Sequence, residues 1–308
     1  EDMHFGKPSR ETCASTLGEV VPIRRCSVSV AASVLQALTD GSSYTLTTNV
    51  SDAAGNAATV NTGTSFTYDI TTPMISGGVA ITSATGIQNN LLNAGDNVSV
   101  TATFSELVIV DNASGTPTLT LVVGSDNRTA TYASGSGSTP LVFQYTIQAG
   151  ETDADGISIE ANTLALNSGT IRDAAGNNAT LTYSAVSANS SYMVDTTAPT
   201  LAETTLVPSL TNDNSTQYPF SSTEGGTISI GGSCSSDNNT AVADNMTVSF
   251  AALADGTYSN CTITVTDSAG NSVTRNVNSF TIDTTAPTLA EVTAVPPLTN
   301  DNASSYTF

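Results

Sequence analysis

Hydrophobic and polar positions alternate over much of this chain, and a helical period is nowhere sustained. Tyr44, Leu46, Thr48 and Val50 interleave with Thr45, Thr47 and Asn49, the pattern of a strand with one buried face. Strand-like runs recur near 97–104, 117–123, 128–133, 140–147 and 179–183, separated by clusters of Gly, Asn, Asp and Ser. Further on, Ile228 and Ile230 share a face with Cys234. Cys261, Ile263 and Val265 share another, while Thr262, Thr264 and Thr266 point away from it. Many short strands at this spacing predict an all-β chain of β-sandwiches. A single helical turn fits residues 161–166.

Two signatures punctuate the strands. Asp-Thr-Thr-Ala-Pro-Thr stands at 195–200 and again at 283–288, with a variant, Asp-Ile-Thr-Thr-Pro, at 69–73. Asp-x-Ala-Gly-Asn precedes each copy, at 52–56, 173–177 and 267–271. The pair reads as the last hairpin of one module followed by the joint to the next. Pro199 fixes its own φ and holds Ala198 extended, and Thr196 and Thr197 are stiff at χ1, so the joint is a short extended connector. Gly55 suits the positive-φ position of the turn before its joint. Residues 195–220 and 283–308 agree at 19 of 26 positions, including Thr-Asn-Asp-Asn at 211–214 and 299–302. Such periodicity dictates a tandem architecture. The expected organisation is an atypical segment at 1–28, the back half of a module at 29–70, a longer module at 71–195, a module with a cysteine pair at 196–283, and the start of another at 284–308. Because the repeats begin and stop part-way, the chain is expected to be a piece of a larger polypeptide. Residues 1–28 read either as a terminal segment outside any module or as a divergent front half with its own Cys13–Cys26 bridge.

Composition narrows the chemistry. The net charge is −20, tryptophan is absent, and four of the seven basic residues (Lys7, Arg10, Arg24 and Arg25) lie in the first 25 positions. Such a surface repels nucleic acid and anionic lipid and attracts cations. No apolar run of about 18 residues occurs, so no membrane insertion is expected. The one histidine, His4, lies outside every module, which leaves no base for a Ser-His-Asp or Cys-His nucleophile and no zinc cluster. Glu106, Asp111, Glu151, Asp153 and Asp155 are candidates for a glycosidase carboxylate pair, without a tryptophan to stack a sugar.

Asp-x-Ala-Gly-Asn followed by Asp-Thr-Thr-Ala-Pro-Thr resembles the bacterial immunoglobulin-like repeats of large repetitive surface adhesins. Residues 254–267, Ala-Asp-Gly-Thr-Tyr-Ser-Asn-Cys-Thr-Ile-Thr-Val-Thr-Asp, are similar to a cysteine-bearing variety of that repeat. The resemblance covers roughly 29–308 and implies tandem immunoglobulin-like sandwiches, an extracellular or cell-surface location, and a stalk or adhesive role, often with calcium at the joints. Leu46 departs from it, standing where Cys261 stands in the later module. A disulfide between Cys234 and Cys261 is expected, because they share a module and exported proteins live where disulfides persist.

Calcium takes six to eight oxygens from carboxylates, amides and carbonyls. Asp69, Asp195 and Asp283 at the joints, with Asp213 and Asp301 in Thr-Asn-Asp-Asn, supply such groups, and plain capping of the joint explains the same aspartates equally well. Glu151-x-Asp153-x-Asp155-Gly156 resembles half a calcium loop but has Asn162 where the closing glutamate belongs, so a surface turn is the better reading there. In Asp-x-Ala-Gly-Asn the aspartate is expected to hold a turn that glycine lets close. The partners expected are neighbouring modules and a host or surface glycan or protein. The functional alternatives are a structural extender, a ligand-binding module, and an accessory domain of a secreted enzyme. The repeats should lack catalytic activity. Hydrolysis of a common polysaccharide by purified 71–283, lost on Glu151→Ala or Glu106→Ala, would overturn that expectation.

Overall fold

A computed structural model of the chain describes residues 2–3, 32–48, 54–57 and 59–290, with isolated positions 292, 300, 302, 303 and 307. Cys13, Cys26, Asp52 and Asp301 lie outside the described residues. Strands dominate throughout, and the one described helix is the four-residue turn Ala32–Leu35. No helix was expected there. The turn expected at 161–166 is instead irregular chain with Asn162 at positive φ, as an asparagine tolerates better than most residues.

Ser43–Thr48 pairs antiparallel with Asn61–Thr67, and Asp2–Met3 adds in parallel beside it. Tyr44 is buried and its ring lies 6.1 Å from that of Phe66. Leu46, on the same parity, stays largely exposed.

Two separate hydrophobic cores follow. The first draws on 75–194. Its main sheet runs Thr170–Arg172, Asn97–Asp111, Ser138–Thr146, Asp126–Ser134, Thr118–Val123, with Ile75–Thr85 paired to Asn97–Asp111. Alternation along Asn97–Asp111 sends Val98, Val100, Ala102 and Phe104 inward, where they meet Leu119, Leu121, Leu141 and Phe143. A small second sheet sets Met193–Asp195 between Thr152–Asp153 and Leu91–Leu92, parallel to the latter. The strand expected at 179–183 is a single bridge, Met74 to Thr180, with Thr180 N donating to the Pro73 carbonyl. Ala179 N donates to the Ile171 carbonyl and Tyr183 N to Asn162 Oδ1, contacts that hold the segment without extending it into a ladder.

The second core draws on 207–282. Its sheets are Leu201–Glu203, Gln217–Ser222, Asp244–Ser249; Leu210–Thr211, Phe280–Ile282, Gly256–Tyr258; and Thr240–Ala241, Gly226–Gly231, Thr262–Thr266, Ser272–Asn276. Tyr218, Phe220, Phe250, Tyr258 and Phe280 form a chain of stacked rings through it. Ile263 and Val265 are fully buried, and Thr264 faces out to share a hydrogen bond with Thr274 across the strand pair.

Cys234 and Cys261 are both buried and joined in a disulfide, their Cα atoms 5.3 Å apart. The bridge ties the segment after Gly226–Gly231 to the start of Thr262–Thr266, where the sequence parity placed both sulfurs on the core side. Closing a 27-residue loop removes chain entropy worth about 3 kcal/mol in the unfolded state. Cys261→Ser should therefore lower the unfolding free energy of the second sandwich by about 2–4 kcal/mol and leave the first unchanged. Denaturant unfolding under reducing and non-reducing conditions measures the difference.

Candidate functional site

The joints are where the chain concentrates its polar side chains. At each one the aspartate opens an Asx turn: Asp69, Asp195 and Asp283 each accept, through Oδ1, the amide two residues on, at Thr71, Thr197 and Thr285. Capping of the joint is thus built by the aspartate itself. The prolines that follow, Pro73 and Pro199, are buried, whereas Pro287 is exposed.

The preceding sandwich grips the threonines. Asp255 accepts the Thr284 amide and hydroxyl through Oδ1 and the Thr285 hydroxyl through Oδ2. Asp40 does the same two joints earlier, accepting the Ile70 amide and the Thr71 hydroxyl. The threonine hydroxyls, with the joint amides behind them, hold both carboxyls below the ordinary aspartate range. At the middle joint no aspartate occupies this place. The Thr196 hydroxyl instead accepts the Gly150 amide and donates to the Glu151 carbonyl.

The following sandwich grips the joint from the other side with its Asp-x-Ala-Gly-Asn loop. In 173–177, Asp173 Oδ1 accepts the Gly176 and Asn177 amides and Oδ2 accepts Asn177 Nδ2. In 267–271, Asp267 Oδ1 accepts the Ala269 and Asn271 amides and Oδ2 accepts Asn271 Nδ2. Gly176 and Gly270 sit at φ 99° and 93°, as does Gly55 at 90°, where a Cβ is strained. The turn is the one expected. It closes the last hairpin before the joint, between Thr262–Thr266 and Ser272–Asn276 in the second sandwich, but it does not touch the joint that follows it in sequence. Asn177 Nδ2 also donates to the Asp69 carbonyl, and Asn271 Nδ2 to the Asp195 carbonyl, 76 positions back. The loop lies at the far end of its sandwich, against the joint by which the chain entered. Asp173 is buried, which alone would raise its pKa; the hydrogen bonds from Asn177 and Gly176 outweigh that and hold it low.

This folding-back assembles two matching acidic groups. One carboxylate oxygen each from Asp69, Glu106 and Asp173 lie within 4.8 Å of one another, and so do those of Asp195, Glu224 and Asp267. Each group joins a joint aspartate, the motif aspartate of the following sandwich and a glutamate from its edge. The glutamates are equivalent: Ser105 and Thr223, just before them, each give an amide to the Met74 or Thr200 carbonyl and accept that residue's amide on their hydroxyl. Burial, together with the neighbouring Asp69, Asp173 and Asp40, pushes Glu106 up; burial with Asp195 and Asp267 does the same to Glu224. Neither glutamate carboxylate accepts a hydrogen bond among the described residues. An all-carboxylate, like-charged set with free lone pairs fits a hard divalent cation such as calcium.

Of the residues expected to bind metal, Asp69 and Asp195 enter these groups. Asp283 and Asp213 enter none among the described residues, and Asp213 instead accepts the Ser215 amide in a further Asx turn. As metal ligands, sequence reading passed over Glu224, Glu106 (named only as a candidate glycosidase carboxylate) and the turn aspartates Asp173 and Asp267. The signal available for the glutamates was a Ser-Glu or Thr-Glu pair shortly after a buried phenylalanine, Phe104 or Phe220.

The 151–156 stretch does turn at the surface, through exposed Ala154 and Asp155, but its first two acids are drawn into the fold. Glu151 is buried and accepts from the Arg128 guanidinium, the Tyr145 hydroxyl and the Gln148 amide. Burial and that hydrogen bond to Glu151 push the Tyr145 hydroxyl above its usual range. Asp153, also buried, accepts the Gly124 and Gly156 amides. These are structural acids whose lone pairs are spent on the fold.

Asn271→Ala should cost about 1–3 kcal/mol, because it removes the side-chain donor from both the Asp195 carbonyl and Asp267 Oδ2. Glu224→Gln should act oppositely in chelator at neutral pH. Folding raises the pKa of Glu224, so its ionised form destabilises the fold above that pKa, and the penalty vanishes as pH falls to the ordinary carboxylate range. Thermal unfolding at about pH 7 and pH 5 should show the native chain gaining stability on acidification and Glu224→Gln gaining less.

No curated protein matches the chain. Residues 207–284, the stretch that builds the second core, match the family model described as a bacterial Ig-like domain, and the recognition of bacterial Ig-like repeats rests on that match.

Proposed function

We propose that the chain is a run of stalk modules from a bacterial surface or secreted repeat protein, stacked end to end to hold another region away from the cell. The observation that carries this is the joint itself. The same hydrogen-bonded arrangement is built twice, at Asp69 and at Asp195, each time with a loop of the following sandwich returning to the joint carbonyl. Repeated joints of one geometry make a rod. Repeated binding sites would need variation in the exposed loops.

Calcium stiffens the rod in this reading. Asp69, Glu106 and Asp173 would hold one ion, and Asp195, Glu224 and Asp267 another. Bound there, a divalent cation supplies the positive charge that each crowded trio lacks and ties the joint aspartate to the sandwich after it. The strongly acidic surface opposes compaction over a Debye length of about 8 Å at physiological salt. No catalytic step is assigned to these groups.

A second reading, recognition of a glycan or protein by 71–195, has one feature in its favour. An open groove of about 630 Å³ lies between Ile75–Val79 and the 182–186 segment, with Asn162 and Tyr183 in its wall. Retention of the chain on a glycan array, lost on Tyr183→Ala, would support it.

Small-angle scattering of 71–283 separates stalk from globule. With calcium the particle should be narrow and extended, and with chelator a broader ensemble. Asp195→Ala should mimic the chelator. Identical profiles in both conditions would remove calcium as the stiffener, and a compact particle in both would remove the stalk.

A further inference from the structure

The second sandwich carries, at the end facing away from the first, a surface that matches in part the one the first presents to it: Asn212 stands where Asn93 does, and Pro208 where Asn89 does. Where the two sandwiches meet, Asn89 Nδ2 donates to the Ser268 carbonyl and Asn93 Nδ2 to the Ala269 carbonyl, each at 2.9 Å. Ala269 is fully buried there, and Gly270 approaches so closely that a Cβ would meet Gln88 Nε2 at 2.5 Å. The strand registers then locate the counterparts. Met193 pairs with Leu91 and Val194 with Leu92, with Met193 N donating to the Asn90 carbonyl. Thr281 pairs with Leu210 and Ile282 with Thr211, with Thr281 N donating to the Ser209 carbonyl. Asn90, Leu91, Leu92 and Asn93 therefore correspond to Ser209, Leu210, Thr211 and Asn212.

Two of these correspondences, and the joint proline, differ in one direction. Leu91 and Asn93 are half-buried, whereas Leu210 is 65% exposed and Asn212 is exposed. Pro73 and Pro199 are buried, whereas Pro287 is exposed. Leu206, beside them, is also 65% exposed. The Asn212 side-chain amide makes no hydrogen bond among the described residues, although its counterpart Asn93 holds a loop carbonyl. Meanwhile Asp255 already grips Thr284 and Thr285, so the third joint is half assembled.

We propose that the end face formed by Leu206, Leu210 and Asn212 is a docking surface for the Asp-x-Ala-Gly-Asn loop of a further Ig-like repeat. Asn212 donates to the loop's alanine carbonyl, as Asn93 does to Ala269, and the loop's asparagine donates to the Asp283 carbonyl, as Asn271 does to Asp195. The occupant is set by the page: residues 283–308 restart the repeat at 19 of 26 positions, and the established interface uses this loop. The inference rests on the stacked-module reading and adds to it a specific, directional contact.

The test extends the full chain past Phe308 with a copy of residues 221–283, which completes the repeat begun at Asp283. Hydrogen exchange across 206–212 should slow by roughly tenfold relative to the unextended chain. Asn212→Ala should abolish that slowing in the extended chain and change nothing in the unextended one. Folding of the added repeat is read separately, from the disulfide between its copies of Cys234 and Cys261. A folded added repeat that leaves 206–212 exchanging at the original rate overturns the proposal. Should the added copy not fold, residues 196–283 are joined whole after Asp283, and unchanged exchange there counts against the proposal equally. Scattering from the same extended chain keeps the two ideas apart: an elongated particle without protection leaves the stalk standing and removes the docking surface, whereas a globular one removes the stalk.

Discussion

One backbone carbonyl at each joint governs the arrangement of the sandwiches around it. The Asp195 carbonyl ends the last strand of the first sandwich and is held by Asn271 from the far reaches of the second. The same asparagine also closes its own turn on Asp267. One side chain therefore couples the shape of a loop to the position of a neighbouring domain. If the turn opens, the clasp goes with it. Burial of Pro199 and Ala269 on either side keeps water from competing for that carbonyl, which is why a modest hydrogen bond is worth having there.

The all-β class and most strands of the first core were legible, because a half-buried strand must alternate and Val98, Val100, Ala102 and Phe104 do so without a break. The disulfide was legible in part, since parity put both sulfurs on core faces. The contact of the Asp-x-Ala-Gly-Asn loop with the preceding joint was not legible, for a geometric reason. Asn271 and Asp283 stand twelve positions apart along two strands, a span of up to about 40 Å at strand rise, so neighbours in sequence stand at opposite ends of the sandwich. The glutamates of the acidic trios were hidden for the same cause: Glu224 meets Asp267 only after the chain has crossed the sandwich several times.

The acids of this chain divide by what their lone pairs are doing. Glu151 and Asp153 look like ligands on paper, yet arginine, tyrosine and backbone amides consume them. Glu106 and Glu224 belong to no ligand-spacing motif in the sequence, yet each keeps its oxygens uncommitted beside two other carboxylates. Spacing motifs report which acids are close in sequence, whereas a cation responds to which remain unsatisfied in space.

The parallel pairing of each sandwich's last strand with a strand near its entrance has a mechanical consequence. Met193–Asp195 runs alongside Leu91–Leu92, and Phe280–Ile282 alongside Leu210–Thr211. A pull transmitted from one joint to the next loads these pairs in shear, so that their hydrogen bonds and the buried side chains around Val194 and Ile282 must yield together. An antiparallel terminal hairpin under the same load would peel one bond at a time. The sandwich is thereby strongest along the axis on which a tethered chain would be pulled.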